Sequence, residues 1–147
     1  MNEHFDFTNS QANETDYELL VAQLEAITDG ERDTIAHLSN ASALLNMSLA
    51  DINWVGFYLM RNGQLVLGPF QGKVACLRID LGRGVCGTAA ASDTTQLVKN
   101  VHDFPGHIAC DSASNSEIVI PLHHKGQLVG VLDIDSPSLA RFTESDQ

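Results

Sequence analysis

A cysteine surrounded by small polar residues is the first feature of this sequence that could do chemistry. Cys110 lies in the stretch HIACDSASNSE, three residues after His107 and seven before Glu117. No large aliphatic residue separates it from Ile118, whereas structural cysteines usually have aliphatic neighbours. A nearby imidazole, or a helix that opens at Asp111, would each favour the thiolate. Cys110 is therefore a candidate nucleophile, and a structural thiol is the alternative.

Two further cysteines lie in glycine-rich sequence, Cys76 in VACLRI and Cys86 in GRGVCGTA. Positions 76, 86 and 110 do not have the spacing of a zinc finger or knuckle, although the six histidines keep another metal site open. Cys86 could equally be a small core residue at the start of a helix. An odd number of cysteines without a secretion signal indicates a reducing cytoplasm and thiols with individual roles.

Three acidic residues are predicted to share one face of a β-hairpin. The segments SEIVIPL and QLVGVLDID alternate on either side of the turn sequence HHKG. A three-residue loop that leaves His123 facing Gln127 places Glu117 opposite Asp133, with Asp135 diagonally nearby. A shift of one residue would mix acids with aliphatic residues on both faces, so this register is preferred.

Three carboxylates on a half-apolar face repel one another unless a cation or a proton lies between them, or unless they point into water. A ligand ammonium would satisfy one or two of them, and a neighbouring carboxyl that stays neutral could donate a proton. Trp54 and Tyr58 share a face of the strand predicted from NWVGFYLM. They are either core residues or an aromatic wall beside a small apolar group such as a thioether methyl.

Helices over residues 15–29 and 31–49 precede the strands. Thr15 and Glu18 have capping-box spacing at the first helix, and Asp29-Gly30 ends it. The apolar stripes, which we expect to pack on a sheet, are Tyr17, Leu20, Val21, Leu24 and Ile27, then Ile35, Leu38, Leu45 and Leu49.

Hairpin signals follow the helices. Asn62-Gly63 joins NWVGFYLM to LVLGPF, a long glycine-rich loop carries one short strand and one short helix, and TQLV is another short strand. Helices followed by antiparallel hairpins predict an α+β fold. We expect a twisted antiparallel sheet, with the N-terminal helices packed on one face and loops that enclose a pocket on the other.

Length and charge set the outer limits. A chain of 147 residues fits one domain over residues 15–147, preceded by a polar tail over residues 1–14 that we expect to be disordered. A formal charge of −11 argues against binding to nucleic acid or to an anionic membrane. No apolar run reaches the ~20 residues that span a bilayer.

Four segments together carry a family resemblance: NWVGFYL, LVLGPFQGKVACLRIDLGRGVCGTAAA, QLVKNVHDFPGHIACDSASNSEIVIPL and GVLDIDSP. From Asn53 to Phe142 the chain closely resembles the free methionine-(R)-sulfoxide reductases, which are single GAF domains. All three cysteines, the glutamate and both aspartates stand in the contexts typical of that family. The family usually continues past RFTESD into a C-terminal helix, whereas this sequence stops at Gln147; we expect that helix to be missing, with Asp146 in its first turn.

The resemblance implies a role for each candidate residue. Cys110 matches the cysteine that attacks the substrate, Cys76 matches its disulfide partner, and Cys86 matches a third thiol of less settled role. The acids that hold and activate the substrate correspond to Glu117, Asp133 and Asp135, and the pocket aromatics correspond to Trp54 and Tyr58.

The implied reaction is the reduction of free L-methionine-(R)-sulfoxide. The Cys110 thiolate attacks the sulfoxide sulfur, a neutral Glu117 or Asp135 protonates the oxygen, and methionine leaves a cysteine sulfenic acid. Cys76 then forms a disulfide that a thioredoxin-type protein reduces, without a metal or organic cofactor. Two alternatives stay open, a regulatory GAF module for a small ligand such as a cyclic nucleotide and a thiol redox sensor. The sequence is compatible with a monomer or a homodimer.

Overall fold

The computed structural model describes residues 15–107 and 113–147. Within these ranges the chain forms three α-helices, two short 3-10 turns and one six-stranded antiparallel sheet: α1 (Tyr17–Thr28), α2 (Thr34–Ser48), β1 (Trp54–Arg61), β2 (Gln64–Gln71), β3 (Arg78–Asp80), α3 (Gly84–Ser92), β4 (Gln96–Val98), β5 (Ser116–His124) and β6 (Gln127–Ser136). The strand order is β3-β2-β1-β6-β5-β4, so the two predicted hairpins meet at the centre of the sheet. The predicted α+β class and element order are confirmed. The tail over residues 1–14 lies outside the described residues.

Aspartates begin both N-terminal helices. The Asp16 side chain accepts a hydrogen bond from the Leu19 amide, and the Asp33 side chain accepts one from the Ala36 amide. The predicted Thr15 capping box is therefore wrong by one position, because Asp16 offers a charged acceptor that also complements the helix dipole. Gly30, with φ of +76°, follows the end of α1 as predicted.

The two helices bury less of their apolar stripes than predicted. α2 packs on β1 and β2, where the Ser42 hydroxyl lies 3.2 Å from the Pro69 carbonyl oxygen. α1 packs mainly on α2, so Val21 and Ile27 stay about half exposed, as does Ile35 on α2. Tyr17 links α1 to the end of the chain by donating a hydrogen bond to Asp146. Asp146 itself ends a short 3-10 turn over Glu144–Asp146.

The sheet separates two cores. Val55 on β1 belongs to a cluster with Phe142 and with Leu49, which directly follows α2, on the helix side of the sheet. Trp54 and Tyr58 belong to a second cluster on the opposite side, together with Cys86 of α3. α3 and the loops around it therefore cover the face that carries the three acids.

The first hairpin turns at Asn62-Gly63, as predicted, with positive φ at both residues. Arg61 pairs with Gln64, and further along Tyr58 pairs with Leu67. A bulge then shifts the register before Gly56 meets Phe70. The bulge accommodates a proline in β2, which could not complete a regular ladder.

The second hairpin corrects the predicted register. Its loop is Lys125-Gly126, both with positive φ, so His124 pairs with Gln127. A bulge follows, and the strands then pair Glu117 with Asp135 rather than with Asp133. The register differs from the prediction by two residues there, and a shift of two leaves every side chain beyond the bulge on its predicted face. The acids still share one face.

Gly130 permits the close approach of β1 and β6. A Cβ added there would lie 2.3 Å from the Tyr58 carbonyl oxygen and 3.2 Å from the Leu59 Cα, both backbone atoms that cannot rotate away. We expect Gly130→Ala to lower the free energy of unfolding by about 3 kcal/mol or more, at the upper end of overpacking. Gly126→Ala is the control, since its φ of +77° costs about 1–2 kcal/mol in open space. Urea unfolding measures both, and equal losses would contradict the steric explanation.

Candidate active site

A pocket lies on the face of the sheet opposite α2, between the sheet, the start of α3 and the loops on either side of α3. Residues of β1, β5 and β6 meet residues of the loop before β3 and of α3 around this pocket. Its lining comprises Trp54, Tyr58, Val74, Ala75, Ile79, Arg83, Gly84, Val85, Cys86, His107, Ser114, Glu117, Asp133 and Asp135. Six of the eight residues predicted from the sequence therefore line one pocket.

Strand pairing brings the three acids together. Glu117 on β5 lies opposite Asp135 on β6, and Val119 lies opposite Asp133, so all three acids project from one sheet face. Glu117 is 7% exposed and Asp133 is 6% exposed, while Asp135 is partly buried. The alternative in which these acids point into water is therefore wrong for Glu117 and Asp133.

Cys86 reaches the acids from the opposite wall. It is the third residue of α3, is 4% exposed, and its Sγ lies 4.0 Å from Glu117 Oε2. Cys86 is a free thiol. Its burial agrees with the interpretation as a small core residue, and its position agrees equally with a role in the pocket.

Burial and mutual repulsion keep protons in this cluster. Burial, followed by the negative charge of Asp133, raises the pKa of Glu117 well above its ordinary value. Burial also raises the pKa of Asp133, although hydrogen bonding from Glu117 offsets part of the effect. The pKa of Cys86 is raised well above that of a free thiol by burial and then by Asp133. The pocket therefore favours a neutral thiol and at least one neutral carboxyl.

The two aromatic residues both line the pocket and hold the loop that carries Cys76. The Trp54 Nε1 donates a hydrogen bond to the Lys73 carbonyl oxygen at 3.1 Å, and the Tyr58 hydroxyl donates one to the Cys76 carbonyl oxygen at 2.9 Å. The Trp54 ring stacks on Phe70 with centroids 5.2 Å apart. The sequence indicated an aromatic wall but not its bonds to the loop.

Of the two predicted redox cysteines, the structure describes Cys76. Cys76 is disulfide-bonded and partly buried on the loop between β2 and β3, beside the pocket lining. Cys110 lies outside the described residues, as does the helix start predicted at Asp111. Three cysteines occur in the chain, and Cys86 is the free one among those described.

Little in the sequence predicted that the other residues of the pocket would lie there. His107 lies at the pocket edge, 6.4 Å from His102 between ring centroids, and burial followed by the charge of His102 lowers its pKa. Arg83 precedes α3 in a loop that gave no motif. The Ser114 hydroxyl accepts a hydrogen bond from Asn53 at 3.1 Å. These groups offer a neutral imidazole, a cation and a hydroxyl around the acidic centre.

The geometry suits a small ligand with a positive charge. Buried carboxylates bind an ammonium or another cation, and an adjacent neutral carboxyl can act as an acid.

In the part of the chain that the structure describes, no helix is long and apolar enough to cross a membrane.

Comparisons with known proteins agree with this fold. Residues 17–147 match the GAF domain model. The free methionine-R-sulfoxide reductase of Escherichia coli is 57% identical over 131 residues, which are 89% of this chain and 79% of that protein. A structure of the fRMsr of Staphylococcus aureus in complex with substrate superposes with a TM-score of 0.87 at 52% identity, covering 91% of this chain and 88% of that one. The corresponding Neisseria meningitidis enzyme with its substrate gives 0.86 at 46% identity, covering 97% and 84%.

The raised carboxyl pKa values predict a stability that falls as pH rises. The folded protein retains a proton on Glu117 that the unfolded chain releases near pH ~4.3, so the folded state loses stability above that pH until its own raised pKa is passed. Glu117→Gln replaces the titrating carboxyl by a neutral amide, and we expect it to raise the free energy of unfolding at pH 8 by on the order of 1–3 kcal/mol. Thermal unfolding at pH 5 and pH 8 measures the difference.

The matched control is Glu18→Gln, which removes an exposed carboxylate from α1. It should leave the difference between pH 5 and pH 8 unchanged. If Glu117→Gln retained the full difference, the buried cluster would not be its source.

Proposed function

The chain belongs to the GAF-domain family and, within it, to the free methionine-R-sulfoxide reductases; from this premise we propose that it is an oxidoreductase that reduces free L-methionine-(R)-sulfoxide to methionine. The observation that carries the proposal is the pair of buried carboxyl groups, Glu117 and Asp133, which shares a pocket with the aromatic residues Trp54 and Tyr58. A free amino acid whose side chain ends in an S-methyl group matches both parts of this pocket.

The ammonium of the substrate is the expected partner of the acids. Asp133 and Asp135 lie two residues apart on β6 and face the same pocket. An α-ammonium placed between them would offset their repulsion. A methionine within a polypeptide has no such ammonium and would leave buried carboxylates unpaired, at a cost of about 1–3 kcal/mol or more. The pocket would therefore select the free amino acid.

The chemical step needs a nucleophilic thiolate and an acid. The Cys110 thiolate attacks the sulfoxide sulfur while the sulfoxide oxygen takes a proton from Glu117 or Asp135. The S–O bond of the substrate breaks, the oxygen passes to the Cys110 sulfur as a sulfenic acid, and methionine is released: Cys–S⁻ + Met–S=O + H⁺ → Cys–S–OH + Met. Glu117 is the stronger candidate for the acid, since its burial and the neighbouring Asp133 keep a proton on it.

Cys76 would complete the cycle. Its thiol attacks the sulfenic acid of Cys110, a disulfide forms and water leaves. The disulfide bond at Cys76 and the free thiol at Cys86 support Cys76 as the resolving residue. A dithiol protein of thioredoxin type would then reduce the disulfide, in a reducing compartment such as the cytoplasm.

A thiol redox sensor is a second candidate, because the disulfide bond at Cys76 fits that role as well. A sensor would be oxidised by hydrogen peroxide without turning over methionine sulfoxide. Steady-state turnover of each oxidant with thioredoxin separates the two functions. Turnover of peroxide alone would overturn the reductase proposal.

Single-turnover experiments test the roles of the cysteines. Cys110→Ser should abolish the release of methionine, because it removes the nucleophile. Cys76→Ser should still release about one methionine per site in a burst and then stop, because only the resolving step is lost. Quenched-flow analysis of methionine measures both. A full burst from Cys110→Ser would transfer the nucleophilic role to Cys86, and continued turnover by Cys76→Ser would make Cys86 the resolving thiol.

Substrate analogues test whether the pocket recognises the α-ammonium of the substrate. N-acetylmethionine sulfoxide lacks the positive charge, so wild-type protein should lose at least ~10-fold in kcat/KM, the equivalent of about 1.4 kcal/mol. Asp133→Asn should mainly raise KM for the free substrate, and acetylation should then change its kcat/KM little. Glu117→Gln should mainly lower kcat. Equal reduction of both substrates by wild type would contradict recognition of the ammonium.

A further inference from the structure

Three side chains, one thiol and two carboxyls, converge at one side of the pocket. One thiol or carboxylate atom from each of Cys86, Glu117 and Asp133 lies within 4.8 Å of the other two. Each of the three side chains is more than nine-tenths buried. Cys86 is held on α3, Glu117 on β5 and Asp133 on β6, so regular elements rather than loops fix their separations.

Asp133 has an unsatisfied oxygen at this place. Its Oδ1 is shielded from solvent and accepts no hydrogen bond from the described residues. A buried acceptor without a partner costs about 1–3 kcal/mol, and more when it is charged. This unsatisfied oxygen indicates that the site needs a positive partner. It is an observation separate from the clustering of the acids.

We propose that Cys86, Glu117 and Asp133 form a binding site for a borderline-soft divalent cation of the zinc type. One sulfur and two carboxylate oxygens suit Zn²⁺, whereas Mg²⁺ and Ca²⁺ take oxygen ligands alone. With bonds of about 2.0–2.3 Å, the ligand atoms of a tetrahedral zinc site lie roughly 3.3–3.8 Å apart. The Cys86 Sγ and Glu117 Oε2, 4.0 Å apart, are already close to that separation.

The cavity leaves space for the rest of the coordination sphere. Its volume is about 50 Å³, and one water needs roughly 10–15 Å³. An ion with three protein ligands would thus keep a fourth position for water. Coordination converts the thiol to a metal thiolate and releases its proton, Cys–SH + M²⁺ → Cys–S–M⁺ + H⁺. If the proposed function is correct, the ion occupies the place of the substrate ammonium and inhibits the enzyme.

The test uses the full chain with Cys76→Ser and Cys110→Ser, so that Cys86 is the single thiol and reductase activity is not needed. Titration with Cd²⁺ should produce an ultraviolet sulfur-to-metal absorption band that saturates at one ion per chain. Zn²⁺ should displace Cd²⁺, and Mg²⁺ at the same concentration should not. Calorimetry in two buffers of different protonation enthalpy should show proton release on binding.

Variants in the same background locate the site. Glu117→Gln and Asp133→Asn should each weaken Cd²⁺ binding by roughly 10-fold or more, since even outer partners of a metal site contribute about that much. Glu18→Gln, the exposed control, should leave the affinity unchanged. Thermal unfolding without metal shows that each variant is folded. Absence of the band, or a band that neither pocket variant weakens, would overturn the proposal whether or not the wild-type chain reduces methionine sulfoxide.

Discussion

The organisation of the site depends on the burial of like-charged groups on neighbouring strands. β5 and β6 pair along their whole length, which places Glu117 directly against Asp135 and two residue pairs away from Asp133. Desolvation opposes each negative charge, and proximity opposes the second and third. The folded chain can hold these groups only with protons or positive partners between them. Pocket charge, thiol protonation and ligand preference all follow from this one arrangement.

The alternation of the sequence was sufficient to predict the sheet and the shared face of the acids. Asn62-Gly63 specified the first turn, because both residues tolerate a positive φ. In the second hairpin the loop length was wrong, since HHKG allows either a two- or a three-residue connection. The acids nevertheless stayed on their predicted face, because the period of two makes an even shift harmless. It was therefore easier to predict which face of the sheet a side chain occupies than which residue it pairs with on the next strand.

Burial and tertiary hydrogen bonds were beyond the sequence pattern. The N-terminal stripes predicted two helices that pack on the sheet, but Val21 and Ile27 are half exposed because α1 contacts α2 more than the sheet. Cys86 gave two equal interpretations, since a small residue at the start of a helix can pack in a core or face a pocket. Its distance to Glu117 depends on how α3 crosses β5 and β6, which local sequence does not encode. Cys110 was a candidate nucleophile from its polar sequence context, whereas the role of Cys76 came from the family resemblance, and both roles stay predictions.

The bonds from the aromatic wall to the cysteine loop have a spectroscopic consequence. Trp54 is the single tryptophan of the chain, and its indole N–H is bonded to Lys73, three residues before Cys76. Any displacement of that loop during oxidation or reduction would alter the polarity and hydrogen bonding of the indole, on which its fluorescence emission depends. The protein thus contains its own optical reporter of thiol chemistry, placed in the pocket without a label and free of interference from a second tryptophan.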